Sequence, residues 1–148
     1  MVRIDKENYY LDIAETVLER GTCLRRNFGA IIVNNDQIVS TGYVGAPRGR
    51  KNCIDLGHCV REKYNVPRGE RYELCRSVHA EQNAIIQAAK LGVSIDGATL
   101  YCTHQPCSVC ARMIINAGIK RVVYQEGYPD DFTLELFAEA GIQLERFQ

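Results

Sequence analysis

Charge of either sign is not in excess in this chain: 18 basic and 18 acidic residues cancel to a formal net charge of +0. A balanced chain has no global field to draw it onto nucleic acid or an anionic membrane surface, so neither is expected as a partner. A small charged substrate is not excluded. No apolar run approaches the length of a membrane span, and the opening residues MVRIDKENYY carry charges where a signal peptide would need an apolar core. The expected setting is cytoplasmic. There is no internal repeat and no low-complexity tract. The seven cysteines are an odd number, in an ordinary globular composition rather than a short, cysteine-dense secreted chain. Disulfides are therefore the weaker explanation. Thiolate ligation of a metal such as zinc is the commoner reason for a cysteine surplus in a reducing compartment.

At 148 residues the chain has the size of one ordinary domain, and residues 1–148 are read as one. Residues 7–20 place Tyr10, Leu11, Ala14, Val17 and Leu18 at helical spacing, with Gly21 as the stop. FGAIIV (28–33) and QIVSTGYV (37–44), split by Asn34, Asn35 and Asp36, predict a β-hairpin. Residues 45–75 hold glycines, prolines and charges without a period, which predicts a long loop insertion. Helix formers run from His79 to Leu91, and Gly92 ends them. ATLYCT (98–103) reads as a strand, CSVCARMIINAG (107–118) as a helix behind Pro106, and RVVY (121–124) as a strand. LELFAEA (134–140) and IQLERF then give a last helix and strand. The order predicts an α/β protein, a three-layer α/β/α sandwich with a five-stranded mixed sheet.

His79 opens one predicted helix, and Cys107 with Cys110 opens another. The spacing of the two cysteines puts both sulfurs on one side of a helical turn, within reach of one tetrahedral ion. Three protein ligands leave a fourth position open, as catalytic zinc requires and structural zinc does not. Glu81, two residues beyond His79, leaves the helix start in a different direction, which suits a carboxylate that moves protons for a bound water. A lone C-x-x-C is common in structural zinc sites, and a lone histidine is more often a packed or surface residue. Joined, HAE (79–81) and PCSVC (106–110) match H-x-E with a later P-C-x-x-C, the signature of zinc nucleobase deaminases.

These motifs, with TCLRRNFGAIIV (22–33), GYVGAPRG (42–49), HAEQNAIIQAAK (79–90), THQPCSVCARMIINAGIKRVVY (103–124) and EGYPD (126–130), resemble the deoxycytidylate (dCMP) deaminases of the cytidine deaminase superfamily, including the bacterial late-competence-operon type. The resemblance spans nearly the whole chain. It implies a cytidine deaminase-like fold and hydrolysis of dCMP to dUMP and ammonia, for thymidylate supply. It also implies stabilising backbone N–H groups at Ala80 and Cys107, and contacts from Arg25 and Tyr128 to the substrate's 5'-phosphate. Where the family reads GYNG this chain has Val44, which cannot hydrogen-bond. A deaminase of another nucleoside, nucleotide or base therefore stays open as an alternative. A non-catalytic zinc-binding relative is a further one, against which Glu81 speaks.

Members of that family often carry a second, structural zinc, and the resemblance implies one here on Cys23, Cys53, His58 and Cys75, with Cys59 able to replace His58. Cys102, in an apolar strand, is expected to be core, and His104 to cap a strand end. The basic run from Arg48 to Lys51 is read as solvated loop or as an attractor for phosphate. The family further implies homo-oligomers and, in many members, dCTP and dTTP as effectors.

Overall fold

In the computed structural model, described over residues 1–147, a five-stranded sheet lies between helices on both faces. Helix α1 spans Lys6–Leu18; the Asp5 carboxylate caps it by accepting from the Asn8 N–H at 2.9 Å. Strands β1 (Gly29–Asn34) and β2 (Gln37–Tyr43) form the expected hairpin. Asn35 and Asp36 turn it with φ of 52° and 60°, the left-handed pair that a two-residue hairpin turn requires. The predicted loop over 45–75 is more structured than its lack of period suggested. It contains α2 (Cys53–Leu56), α3 (Val60–Lys63) and a single 3-10 turn at Tyr72–Leu74.

The second half follows the predicted alternation: α4 (Ala80–Leu91), β3 (Thr99–His104), α5 (Ser108–Asn116), β4 (Arg121–Glu126), α6 (Asp131–Ala140) and β5 (Gln143–Arg146). Helix α6 starts three residues before the expected Leu134, because Asp130 accepts from the Thr133 N–H at 2.7 Å and so caps an earlier turn. The strand order is β2-β1-β3-β4-β5. β1 is antiparallel to both neighbours, and β3, β4 and β5 run parallel.

Strand alternation divides the core in two. Ile31, Val33, Tyr101 and Val123 meet Tyr10, Leu11 and Ala14 of α1. Ala30, Ile32, Leu100, Cys102 and Val122 face the other way, among Ala84 and Ala88 of α4, Ile114 of α5 and Phe137 of α6. Gly42 fixes where α4 sits: any side chain there would run into the backbone of Ala80 and Ala84. The Ser40 hydroxyl also donates to the Ala84 carbonyl. The first turn of α4 therefore rests directly on β2, with His79 at its N-cap.

Candidate metal centre and its cavity

The three predicted ligands converge. His79 caps α4, Cys107 caps α5 and Cys110 lies in the first turn of α5. Their ligand atoms all fall within 4.8 Å of one another. His79 Nδ1 stands 3.2 Å from Cys110 Sγ and 3.6 Å from Cys107 Sγ. The His79 backbone N–H is held by Gln82 Oε1 at 3.0 Å, which secures the helix start that carries the ring. Glu81 is 6% exposed, and burial pushes its carboxyl above the usual range, against the Cys110 thiol and His79.

Without a cation this cluster is electrostatically uneven. The Cys110 thiol, with His79, pulls Cys107 down to about 4, while the Cys107 thiolate pushes Cys110 well above the ordinary thiol value. The hydrogen bond to Cys107 in turn raises His79, against burial. For both thiols to ionise together beside buried Glu81, a positive charge is needed among them. A dication with affinity for nitrogen and sulfur, held by His79, Cys107 and Cys110, fits that need, and zinc is the ion these donors select.

The centre opens into a cavity of about 520 Å³ lined by His79, Glu81 and Cys107. One wall is apolar and aromatic: Val44, 6% exposed, with Phe28, whose ring centre lies 4.8 Å from that of His104. Arg25, Arg26, Arg61 and Arg68 supply four guanidinium groups, and Glu81 is the sole carboxylate in the described lining. Arg25 pairs with Glu62 at 3.0 Å, and Arg26 stands 5.2 Å over the Phe28 ring. A smaller cavity of about 280 Å³ shares Arg26 and Phe28 but reaches none of the three ligands.

Of the other expected site residues, Arg25 and Val44 line the cavity and Ala80 is buried as the first residue of α4. Tyr128 is not in the lining: it is 75% exposed, with the Arg146 guanidinium 4.4 Å over its ring. The second set does not close. Among the described residues, His79, Cys107 and Cys110 are the one group whose ligand atoms lie so near together. Cys53 is buried and feels Cys23, Cys75 and Cys59 as neighbouring thiols, whereas His58 is exposed. Cys59, not His58, is among the thiols that act on Cys53. Cys102 is core as expected, and His104 does more than cap β3, because it forms cavity wall.

Sequence reasoning missed Phe28, Arg61, Arg68, Tyr72 and Gln105, all in the lining. Phe28 lay inside a run assigned wholly to the hairpin, and the next three sit where no period exists. Gln105, between the two recognised motifs, was the one within reach.

Helix-borne His and Cys ligands with a buried glutamate, set against a mixed five-stranded sheet, define the class of zinc-dependent nucleobase deaminases. Within that class the chain belongs to the cytidine and deoxycytidylate deaminase family, whose zinc-binding region matches residues 4–126. It is 37% identical over 149 residues to ComE operon protein 2 of Bacillus subtilis, covering 100% of this chain and 74% of that protein. It is 35% identical over 142 residues to the deoxycytidylate deaminase of Schizosaccharomyces pombe, covering 95% of this chain but 44% of the yeast protein. The chain therefore spans under half of that relative. The crystal structure of the dCMP deaminase of cyanophage S-TIM5 in complex with dCMP and dUMP matches with a TM-score of 0.76 and 32% identity, over 98% of this chain and 100% of that one.

Proposed function

We propose that this chain, as one deaminase domain, is a zinc-dependent hydrolase that converts dCMP and water to dUMP and ammonia. The observation that carries this reading is the placement of buried Glu81 beside the His79, Cys107 and Cys110 cluster at the floor of an arginine-lined cavity. The phage relative of matching fold is a dCMP deaminase crystallised with dCMP and dUMP. When bound, zinc supplies Lewis acidity that makes water a nucleophile at neutral pH.

The chain's residues do the rest. Glu81 accepts a proton from the attacking water and returns protons to the ring nitrogen and the departing 4-amino group, a role that suits a carboxyl raised by burial. The N–H groups of Ala80 and Cys107, at two helix starts, stabilise negative charge beside the reacting carbon. Phe28, His104 and Val44 enclose base and sugar, and Arg25 supplies positive charge for the phosphate. Val44 favours one second reading, a different base or nucleoside, because it puts an apolar wall where relatives hydrogen-bond.

A panel of nucleobases, nucleosides and monophosphates, each with and without dCTP, tests substrate and effector together. Loss of ultraviolet absorbance is expected with dCMP, and activity confined to cytidine or guanine-like bases would overturn the substrate assignment. We further propose a second zinc on Cys23, Cys53 and Cys75, with Cys59 in place of His58. Its support is that Cys23, Cys59 and Cys75 line one cavity and each pushes the buried Cys53 thiol up. All seven cysteines are free thiols, which fits a reducing, cytoplasmic setting. No described helix is long and apolar enough to cross a membrane. Exposed Val109 and Met113 on α5 support a homo-oligomer.

A further inference from the structure

Arg61, on α3, is buried, and it commits its guanidinium to one short stretch of chain. Its Nη2 donates to the Pro67 carbonyl at 3.3 Å and the Glu70 carbonyl at 2.6 Å, and its guanidinium carbon stands 4.8 Å from the centre of the Tyr72 ring. The nearby carboxylates are committed elsewhere: Glu62 holds Arg25, and Glu73 holds Arg71. Its buried Nε finds no acceptor among the described residues. An arginine cannot relieve burial by losing its proton, so this staple is costly, and an apolar side chain could cover the same turn at lower cost. What the guanidinium adds, and an apolar residue could not, is a cation over the Tyr72 ring.

Tyr72 is held from other sides as well. Arg71 before it takes a left-handed φ of 51°, a strained value for a residue with a side chain, and the Cys75 N–H donates to the Tyr72 carbonyl at 2.9 Å to close the single turn. The Tyr72 ring stands 6.3 Å from that of His79, centre to centre, and nearly perpendicular to it at 83°. Yet the side chain is not core. Tyr72 is 46% exposed and lines the cavity that holds His79, Glu81 and Cys107. An aromatic ring fixed by a cation and a strained turn, beside a predicted metal ligand and open to the cavity, is a surface prepared for another flat ring.

Resting on the reading of the substrate as dCMP, we propose that Tyr72 contacts the pyrimidine of the substrate and that Arg61 is a positioning residue acting through it. A base whose reacting carbon is brought to the His79, Cys107 and Cys110 cluster lies next to the His79 imidazole, within reach of the Tyr72 ring. The ring makes the contact, not the hydroxyl. Arg61 touches no ligand; it fixes the angle at which the ring meets the base. The segment 53–75 thereby takes part in recognising the base. As a mere prop of that segment, Tyr72 would matter equally to every ligand of the cavity.

The test compares dUMP with 2-deoxyribose 5-phosphate, which keeps sugar and phosphate but has no base, in calorimetric binding to the zinc-loaded protein. In Tyr72→Ala, dUMP affinity is expected to fall roughly ten- to hundredfold relative to that of the sugar phosphate, with zinc content kept. Tyr72→Phe, which retains the ring, should show only a small part of that loss. Arg61→Met, or Arg61→Gln should it not fold, is expected to weaken dUMP binding in the presence of Tyr72 and to add nothing further in Tyr72→Ala. Equal losses for both ligands, a loss in Tyr72→Phe as large as in Tyr72→Ala, or additive losses at the two positions would overturn the proposal. If Tyr72→Ala does not fold, Tyr72→Leu decides, a selective loss of dUMP supporting the contact and an equal or absent loss overturning it. If wild-type protein does not turn over dCMP, the parent reading fails separately. Cytosine is then the probe: a rise in melting temperature in wild type that Tyr72→Ala lacks supports the contact, and equal rises, or none in either, overturn it.

Discussion

Two groups of cysteine border one cavity, and they differ in what carries them. Cys107 and Cys110 sit on the cap and first turn of a nine-residue helix packed on the sheet, opposite a histidine that caps a helix resting on Gly42. Their ligand atoms converge within 4.8 Å of one another. Cys53 opens a four-residue helix, and Cys59 and Cys75 flank short turns in a segment with little apolar packing. Its thiols are neighbours without converging as the first set does. A site on sheet-backed helices takes its ligand positions from the fold. The proposed loop site would be completed by its ion, and the binding energy would become folding energy of that loop.

The sharpest way to test the first half of this contrast is Glu81→Gln. Turnover is expected to drop by about 10²- to 10⁴-fold while zinc content, by metal analysis, stays at the wild-type level. Loss of metal together with activity would mean that Glu81 belongs to the ligand set. Chelation addresses both halves at once. Because the catalytic ligands stand on sheet-backed helices, circular dichroism should change little. The segment 53–75 should become sensitive to protease, and equal resistance before and after chelation would remove the difference between the regions.

Cys53→Ser narrows the question to the loop: metal content is expected to fall from roughly two zinc ions per chain to one, with part of the catalysis kept. A single zinc in fresh wild-type protein would remove the second site. Gly42→Val should push α4 off β2 and cost about 1–3 kcal/mol in a denaturant titration. An unchanged midpoint would show that the helix does not depend on that close approach.

The smallest effect serves as a control on the sheet itself. Arg121 donates to Glu145 Oε2 at 2.8 Å and holds that carboxyl below its usual value. The contribution is therefore present above the ordinary carboxylate value and lost as pH falls through the lowered one. Both side chains are partly exposed, so Glu145→Gln should cost only a few tenths of a kcal/mol, measured as melting temperature at neutral pH, and less in acid. A cost that grew as pH fell would contradict that linkage.

Much of this molecule is legible in its residues, and the part that is not follows a physical pattern. The hairpin was visible because apolar alternation and Asn35-Asp36 report local backbone preference. His79, Cys107 and Cys110 were visible because caps and helix starts are local too. Arg61 was invisible: an arginine in an aperiodic stretch is ordinarily solvent-facing, and its burial comes from the Pro67 and Glu70 carbonyls folding back over it. Tyr128 shows the complementary situation. Its motif matched, but the fold stacks it under Arg146 on the outside. Choosing between His58 and Cys59 likewise depends on which of two adjacent residues a short helix turns inward, and no period decides that.

The even balance of 18 basic and 18 acidic residues takes on another meaning beside the arginine-lined cavity. A chain with no net charge exerts little pull beyond about a Debye length, roughly 8 Å at physiological salt. A small anion should thus arrive by unguided diffusion, with an encounter rate nearly indifferent to ionic strength, and be sorted by charge only after crossing the cavity mouth. A polyanion too large to enter meets as many acids as bases. Salt dependence should then appear in how long a nucleotide stays rather than in how often it comes.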